Sequence, residues 1–249
     1  MRYLSIVFLV FSFLGNYSAY AQLPSETTAI NQLDAKGYKQ GDWKKTDKEG
    51  RLVYEGKFIN DKPAGRFTYY DTTGKVRAVS EFSENGAKCF TTAFYKGGGK
   101  MSEGLYVNEK REGLWKFYNE EGVLVADENY KNGIAEGLWK TYYQNGALLE
   151  EITYKNGEKE GPWKQYFYDG PLKLSARYKQ GKLEGLATFY YASGRVMVSG
   201  PYTNNFKDGV WIHLNEKGVA EKKEVWAGGF LQAEEYYDKE VERMVKEEK

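Results

Sequence analysis

The sequence predicts an all-β protein: one elongated sheet, a meander of tandem β-hairpins with about 16 strands and a short C-terminal helix. Three observations predict it. A 24-residue period runs through the chain without slipping, with units beginning at Gly41, Gly65, Cys89, Gly113, Gly137, Gly161, Gly185 and Gly209. Nine residues into every unit stands a glycine: Gly50, Gly74, Gly98, Gly122, Gly146, Gly170, Gly194 and Gly218. Seventeen residues in stands an aromatic: Phe58, Phe82, Tyr106, Tyr130, Tyr154, Tyr178, Tyr202 and Trp226. Columns kept through eight units mark a tandem array.

Each unit has room for two strands of about five to seven residues and two turns. Asp47, Asp71, Asn119 and Asn215 each stand three residues before the glycine column. That pattern predicts a type I turn closed by a left-handed glycine, the three-residue hairpin loop with a bulge. The second turn falls at Asn132-Gly133, Asn156-Gly157, Gln180-Gly181 and Gly228-Gly229. With the three-residue loop, Tyr142 lies opposite Leu148, both share a face with Tyr154, and Trp139 points to the other face. A two-residue Asn-Gly loop would instead put Trp139 with Tyr154. The first register is preferred because four units carry Asp or Asn at its leading position. It makes the Tyr154 column, with Leu124, Leu148 and Leu172, the packed face. It leaves Trp115, Trp139, Trp163 and Trp211 beside Phe117, Thr141 and Gln165 as the candidate binding surface. About 16 strands at about 4.8 Å spacing make a twisted ribbon roughly 75 Å long.

The ends read differently. Arg2, an apolar run from Tyr3 to Leu14 and the small-x-small triplet Ala19-Tyr20-Ala21 form a signal peptide over 1–21, cut before Gln22. The run is too short for a stable transmembrane anchor, so no transmembrane segment is expected after cleavage and the mature chain is expected to be exported. Residues 22–36 are a polar lead-in, 37–232 the array, and 233–249 a capping helix with Tyr237, Val241, Met244 and Val245 on one face.

Composition narrows the function. Lys plus Arg is 36 against Asp plus Glu 35, a balance that gives no pull toward nucleic acid. Cys89 is the only cysteine, so no internal disulfide forms, and it reads as a small residue in a glycine position. His213 is the only histidine, which rules out a histidine cluster for metal, and it reads as a strand residue rather than a general base. The stretch from Tyr95 to Ser102 departs from a phosphate loop at Phe94 and Met101, and Gly98 is already the hairpin glycine. Glu112, Glu136, Glu160, Glu184 and Asp208 fill one column at the unit boundaries, a candidate acidic edge for a basic partner or a solvated rim balanced by Lys131, Lys155 and Lys179.

The pattern Gly-x-Trp-x-x-Tyr, Asn-Gly, Leu and Tyr-x-x-Gly-x-x-x-Gly, as it stands from Gly137 to Gly161, resembles the MORN-repeat variant family, bacterial relatives of the membrane occupation and recognition nexus repeat. The likeness covers 37 to about 232. The unit at Cys89 departs furthest, with Thr91 in the tryptophan column and Glu109 where a glycine would end the second turn. The resemblance implies an elongated β-hairpin array used for binding, with no catalytic motif and no cofactor. Some bacterial members are described as YwqK-type antitoxins of toxin–antitoxin modules. The expected function is therefore an exported, non-enzymatic scaffold that binds another protein in the periplasm, at the cell envelope or after secretion. The alternatives are a toxin-neutralising antitoxin or immunity-type protein and an envelope glycan-binding protein.

Overall fold

A computed structural model describes residues 29–237. The expected signal peptide and residues 238–249 of the expected helix lie outside the described residues. One sheet of 21 strands makes up the described residues, and each strand pairs antiparallel with a sequence neighbour. Two strands per unit account for all but the first and the last. In three units the leading strand is split, as in Ile134–Ala135 and Gly137–Tyr142. Gln32–Leu33 pairs with Lys39–Thr46 at one end, and Phe230–Tyr236 pairs with Ala220–Ala227 at the other.

That last strand corrects the expected C-terminal helix over residues 233–236. Ala233 and Glu234 lie opposite Val225 and Glu224 in the ladder. The final unit leaves a row of unpaired backbone groups, and pairing with them outweighs a weak helical propensity. Among the described residues the only helical segment is the 3-10 turn Glu84–Gly86.

The first turn forms as expected. Gly146 sits at φ 83°, its N–H bonds Tyr143 O at 2.9 Å, and Tyr143 N–H bonds Ala147 O at 2.8 Å. Only glycine reaches this φ cheaply, which is why the column holds no other residue. Asp47 Oδ1 accepts the N–H groups of Glu49 and Arg51, and Asn215 Oδ1 those of Lys217 and Val219. Where Tyr95, Tyr143 and Tyr191 replace the Asp or Asn, their hydroxyls reach 23 residues ahead to the carbonyls of Tyr118, Tyr166 and Leu214. The second turns place Asn132 and Gly133 at φ 52° and 82°, the two left-handed residues of a type I′ hairpin.

The faces differ from the expected assignment. Tyr142 does lie opposite Leu148, but Thr141 lies opposite Glu150, so Leu149 is an extra residue in the second strand. That bulge reverses the alternation beyond it. Trp139 and Tyr154 therefore share a face, with ring centroids 4.6 Å apart, and Tyr142 points to the other side with Asp127 and Glu151. The same shift recurs in every unit.

One side is thus an aromatic face. The residue two into a unit lies over the residue fifteen into the unit before, and at three junctions a ring stands over a glycine. Phe67, Trp115 and Trp211 cover Gly56, Gly104 and Gly200, whose added Cβ would fall 2.2–2.4 Å from the ring. Elsewhere the pairs are Thr91 with Ser80, Ala187 with Ala176 and Trp163 with Ile152. The three rings over glycine are 2%, 2% and 0% exposed; Trp139 and Trp163, which meet larger partners, are half-buried.

Such packing links only adjacent units, so stability should be nearest-neighbour. Deleting Gly137–Glu160 joins Glu136 to Gly161 and keeps every column in phase; that variant should fold and melt cooperatively at a modestly lower temperature. Deleting twelve residues instead removes half a hairpin and should aggregate. Circular dichroism melts and size-exclusion profiles decide, and equal damage from both deletions would contradict a nearest-neighbour array.

Candidate binding surface

The expected tryptophan surface is partly core. Trp115 and Trp211 are buried, their indoles donating to Leu105 O at 3.0 Å and Pro201 O at 3.1 Å. Trp139 donates to Asn129 O, and Trp163 to Glu150 Oε1. Phe117 stands 6.3 Å from Trp115, and the Arg111 guanidinium lies over Trp115, Phe117 and Tyr130. The structure does bring these residues together on one face. The reason they pack rather than protrude is the bulge that puts the Tyr154 column beside them.

The acidic column is also engaged. Glu112, Glu136, Glu160 and Glu184 each accept the N–H of the residue twenty positions on, Asn132, Asn156, Gln180 and Asn204, at 2.7–3.1 Å. Asp208 does the same with Gly228 at 3.3 Å. Each carboxylate ties its unit boundary to the second turn of the following unit, a turn whose left-handed residues leave an N–H unmatched in the ladder. It is a row of staples along one edge.

The second face carries a ladder invisible in either expectation. Tyr118, Tyr142 and Tyr166 donate to Glu103, Asp127 and Glu151 at 2.7–2.9 Å. Lys116 and Lys140 pair with Asp127 and Glu151 at 3.3 and 3.2 Å. Burial and these hydrogen bonds push the three phenols up to about 12. Beside the ladder runs an aliphatic stripe. Leu114, Leu138, Leu186 and Val210, each the second residue of its unit, are 45%, 39%, 67% and 44% exposed, and Phe90 and Pro162 in the same column are exposed too. The stripe is regularly spaced along an exposed face. Sequence reasoning missed it. The signal was a column apolar in six of eight units.

The last unit holds the densest charge cluster. Glu224, 6% exposed, meets Lys222 at 2.8 Å, Lys207 at 3.4 Å, the Trp226 indole at 2.8 Å and His213 Nε2 at 3.2 Å. Burial alone would raise its pKa, but the hydrogen bonds from Lys222 and Trp226 and the Lys207 charge hold it down to about 2. A depressed folded-state pKa stabilises the fold above the unfolded value and loses that contribution as pH falls from about 4.5 through about 2. Glu224→Gln should cost on the order of 3 kcal/mol at neutral pH. Its stability should then fall less than the native protein's between pH 4.5 and 2, as followed by urea denaturation at stepped pH. Parallel acid curves for the two would show that Glu224 adds nothing there. Among the described residues no group of three or more His, Cys, Asp and Glu is arranged to hold a metal ion.

Hairpins that stack unit on unit through ring-over-glycine contacts, tyrosine–carboxylate bonds and carboxylate staples define a tandem β-hairpin repeat scaffold. The profile of the MORN repeat variant family matches the chain three times, at 111–132, 135–156 and 183–204. The comparison with curated proteins gives no match. Among solved structures the chain is similar to TarM at 16% identity, over 37% of this chain and 20% of that one, with a TM-score of 0.28. A TarM mutant from S. aureus, in complex with fondaparinux, α-GlcNAc-glycerol and UDP, matches at 15% identity over 39% and 19%, TM-score 0.30. A porin-like protein from Bacteroides uniformis matches at 8% identity over 76% and 91%, TM-score 0.19. The chain spans about one fifth of the TarM length. None of these likenesses bears on what it does.

Proposed function

We propose that this protein is an exported, non-enzymatic scaffold that binds another protein along its aliphatic stripe. The observation that carries the reading is the stripe itself: Leu114, Leu138, Leu186 and Val210 stand exposed at the same place in successive units. The rest of the sheet's chemistry is turned inward. Trp115 and Trp211 pack on glycines, the acidic column caps turns, and the ladder carboxylates are held by Lys and Tyr. An apolar residue that stands in water in six of eight units, where polar choices would cost nothing, is shaped for contact.

The test pairs a mature protein beginning at Gln22 with a variant carrying Leu138→Asp and Leu186→Asp. Both positions are exposed, so the variant should melt like the native protein. In a pull-down from the native envelope fraction, the partner retained by native protein should be lost by about tenfold or more, the effect of removing central apolar anchors. A partner held equally by both would move the binding surface elsewhere. N-terminal sequencing of protein from the native cell should begin at Gln22; an intact Met1 would end the claim of export.

A further inference from the structure

The unit at Cys89 breaks the pattern in two linked ways. In the other junctions a two-residue turn is followed by a bulge around the unit's first glycine. Lys155 pairs with Glu158 and Ile152 with Trp163, leaving extra residues around Gly161 at φ 98°. At the third unit that glycine is Cys89, which does not adopt positive φ. Here the ladder runs without a bulge, Ser83 opposite Lys88 and Phe82 opposite Cys89, and the spare residues sit in a four-residue turn, 84–87. The phase of 24 survives because the extra length has only moved. Two residues on, the ring column holds Thr91. The aromatic face therefore lacks a ring between Phe67 and Trp115.

What remains is a cavity of about 250 Å³. Its walls are Tyr69, Phe82 and Tyr106, and its floor is Ser80, Cys89 and Thr91. Neighbouring rings back two of the walls: Phe67 lies 5.1 Å from Phe82, and Trp115 lies 4.8 Å from Tyr106. The floor is polar. Ser80 and Thr91 hydroxyls bond at 2.8 Å, and Cys89 Sγ lies 3.1 Å from Thr91. Glu109 also lines the cavity.

We propose that this gap is a binding site for a flat aromatic ring of phenol to indole size that carries one N–H or O–H donor. The chain shows what fits, because the same position one unit earlier and one unit later is filled by its own Phe67 and Trp115. About 150 Å³ of apolar space already holds a benzene ring, so this cavity has room for a ring and its polar group. The hydroxyls bond each other yet keep acceptor lone pairs, so a ring with an N–H or O–H donor gains a hydrogen bond that benzene cannot make, which selects indole or phenol over benzene. The ring can arrive as a free small molecule or as a side chain of a bound peptide.

The probes are indole, p-cresol, benzene and the tripeptide Gly-Trp-Gly, titrated by calorimetry into native protein. The rate of Cys89 alkylation by iodoacetamide reports locally, since this is the only cysteine. The blocking variant is Ser80→Gly with Thr91→Trp, which copies the Gly104 and Trp115 pair and fills the gap from within. Thr91→Leu is measured beside it and decides if the double variant fails to fold. We expect indole or p-cresol to bind native protein with Kd of about 1 mM or tighter, to slow Cys89 alkylation, and to bind the filled variant at least about tenfold more weakly. Tripeptide binding of similar strength identifies a side-chain source; binding of the free rings alone identifies a small-molecule source. No binding by any probe, unchanged binding in the filled variants, binding that leaves Cys89 alkylation unaltered, or benzene binding as well as indole would each overturn the proposal.

Discussion

Trp211→Ala should destabilise the protein by about 3–5 kcal/mol, the cost of truncating a fully buried large side chain that leaves a cavity. The ring is 0% exposed and lies against Tyr202 at 5.2 Å and Phe189 at 6.3 Å. Lys207 Nζ sits 4.3 Å from its centroid, and its N–H meets Pro201 O at 3.1 Å. Truncation removes all of these and opens the sheet above Gly200. Because each unit holds only its neighbours, the loss should appear first as early melting of the C-terminal units. Urea denaturation and hydrogen exchange across 185–232 measure it. Trp139→Ala, at a half-buried ring, should cost clearly less. Equal losses at the two sites would mean that burial over glycine is not what stabilises the array.

Gly200→Val should cost about 3 kcal/mol or more, at the upper end of overpacking effects. Its Cβ would sit 2.2 Å from Trp211 Cδ2, so the ring must leave its seat. Gly200 has no left-handed φ, and backbone freedom is not the reason for the glycine. Gly146 offers the contrast. It stands at φ +83° with nothing within 4 Å of an added Cβ, so Gly146→Ala should cost only the left-handed penalty of about 1–2 kcal/mol. The mechanism is read from a double-mutant cycle. If clearance is the cause, Trp211→Ala should remove most of the Gly200→Val effect, a coupling of about 0.5–3 kcal/mol. Additive losses from Gly200→Val and Trp211→Ala would refute the ring-over-glycine account.

The two kinds of glycine show where sequence reasoning reaches and where it stops. The turn column was legible because a left-handed residue is a local demand, and only glycine meets it cheaply. It carried the period, the hairpins and the antiparallel meander. The packing glycines were not legible, because Gly56, Gly104 and Gly200 are chosen by a ring eleven residues ahead on another strand. The two columns had to be read together, large against small. The acidic column was found, but not its role, since the N–H it caps lies twenty residues on and its need arises from turn geometry.

By itself, then, the sequence determined a tandem β-hairpin array with its turns placed to the residue, because turns and periodicity are local properties of the chain. The tertiary structure alone decided which columns share a face. Leu149 and its counterparts are bulged, and one extra residue per hairpin reverses the alternation beyond it. That reversal put the tryptophans beside the Tyr154 column and buried them, and it left the leucine stripe in water. It also decided the C-terminal end, where the open edge of Ala220–Ala227 drew residues 230–236 into a strand. Register is a cooperative property of paired strands. A single inserted residue changes every side chain beyond it, and no residue type in the turn announces whether the strand that follows will bulge.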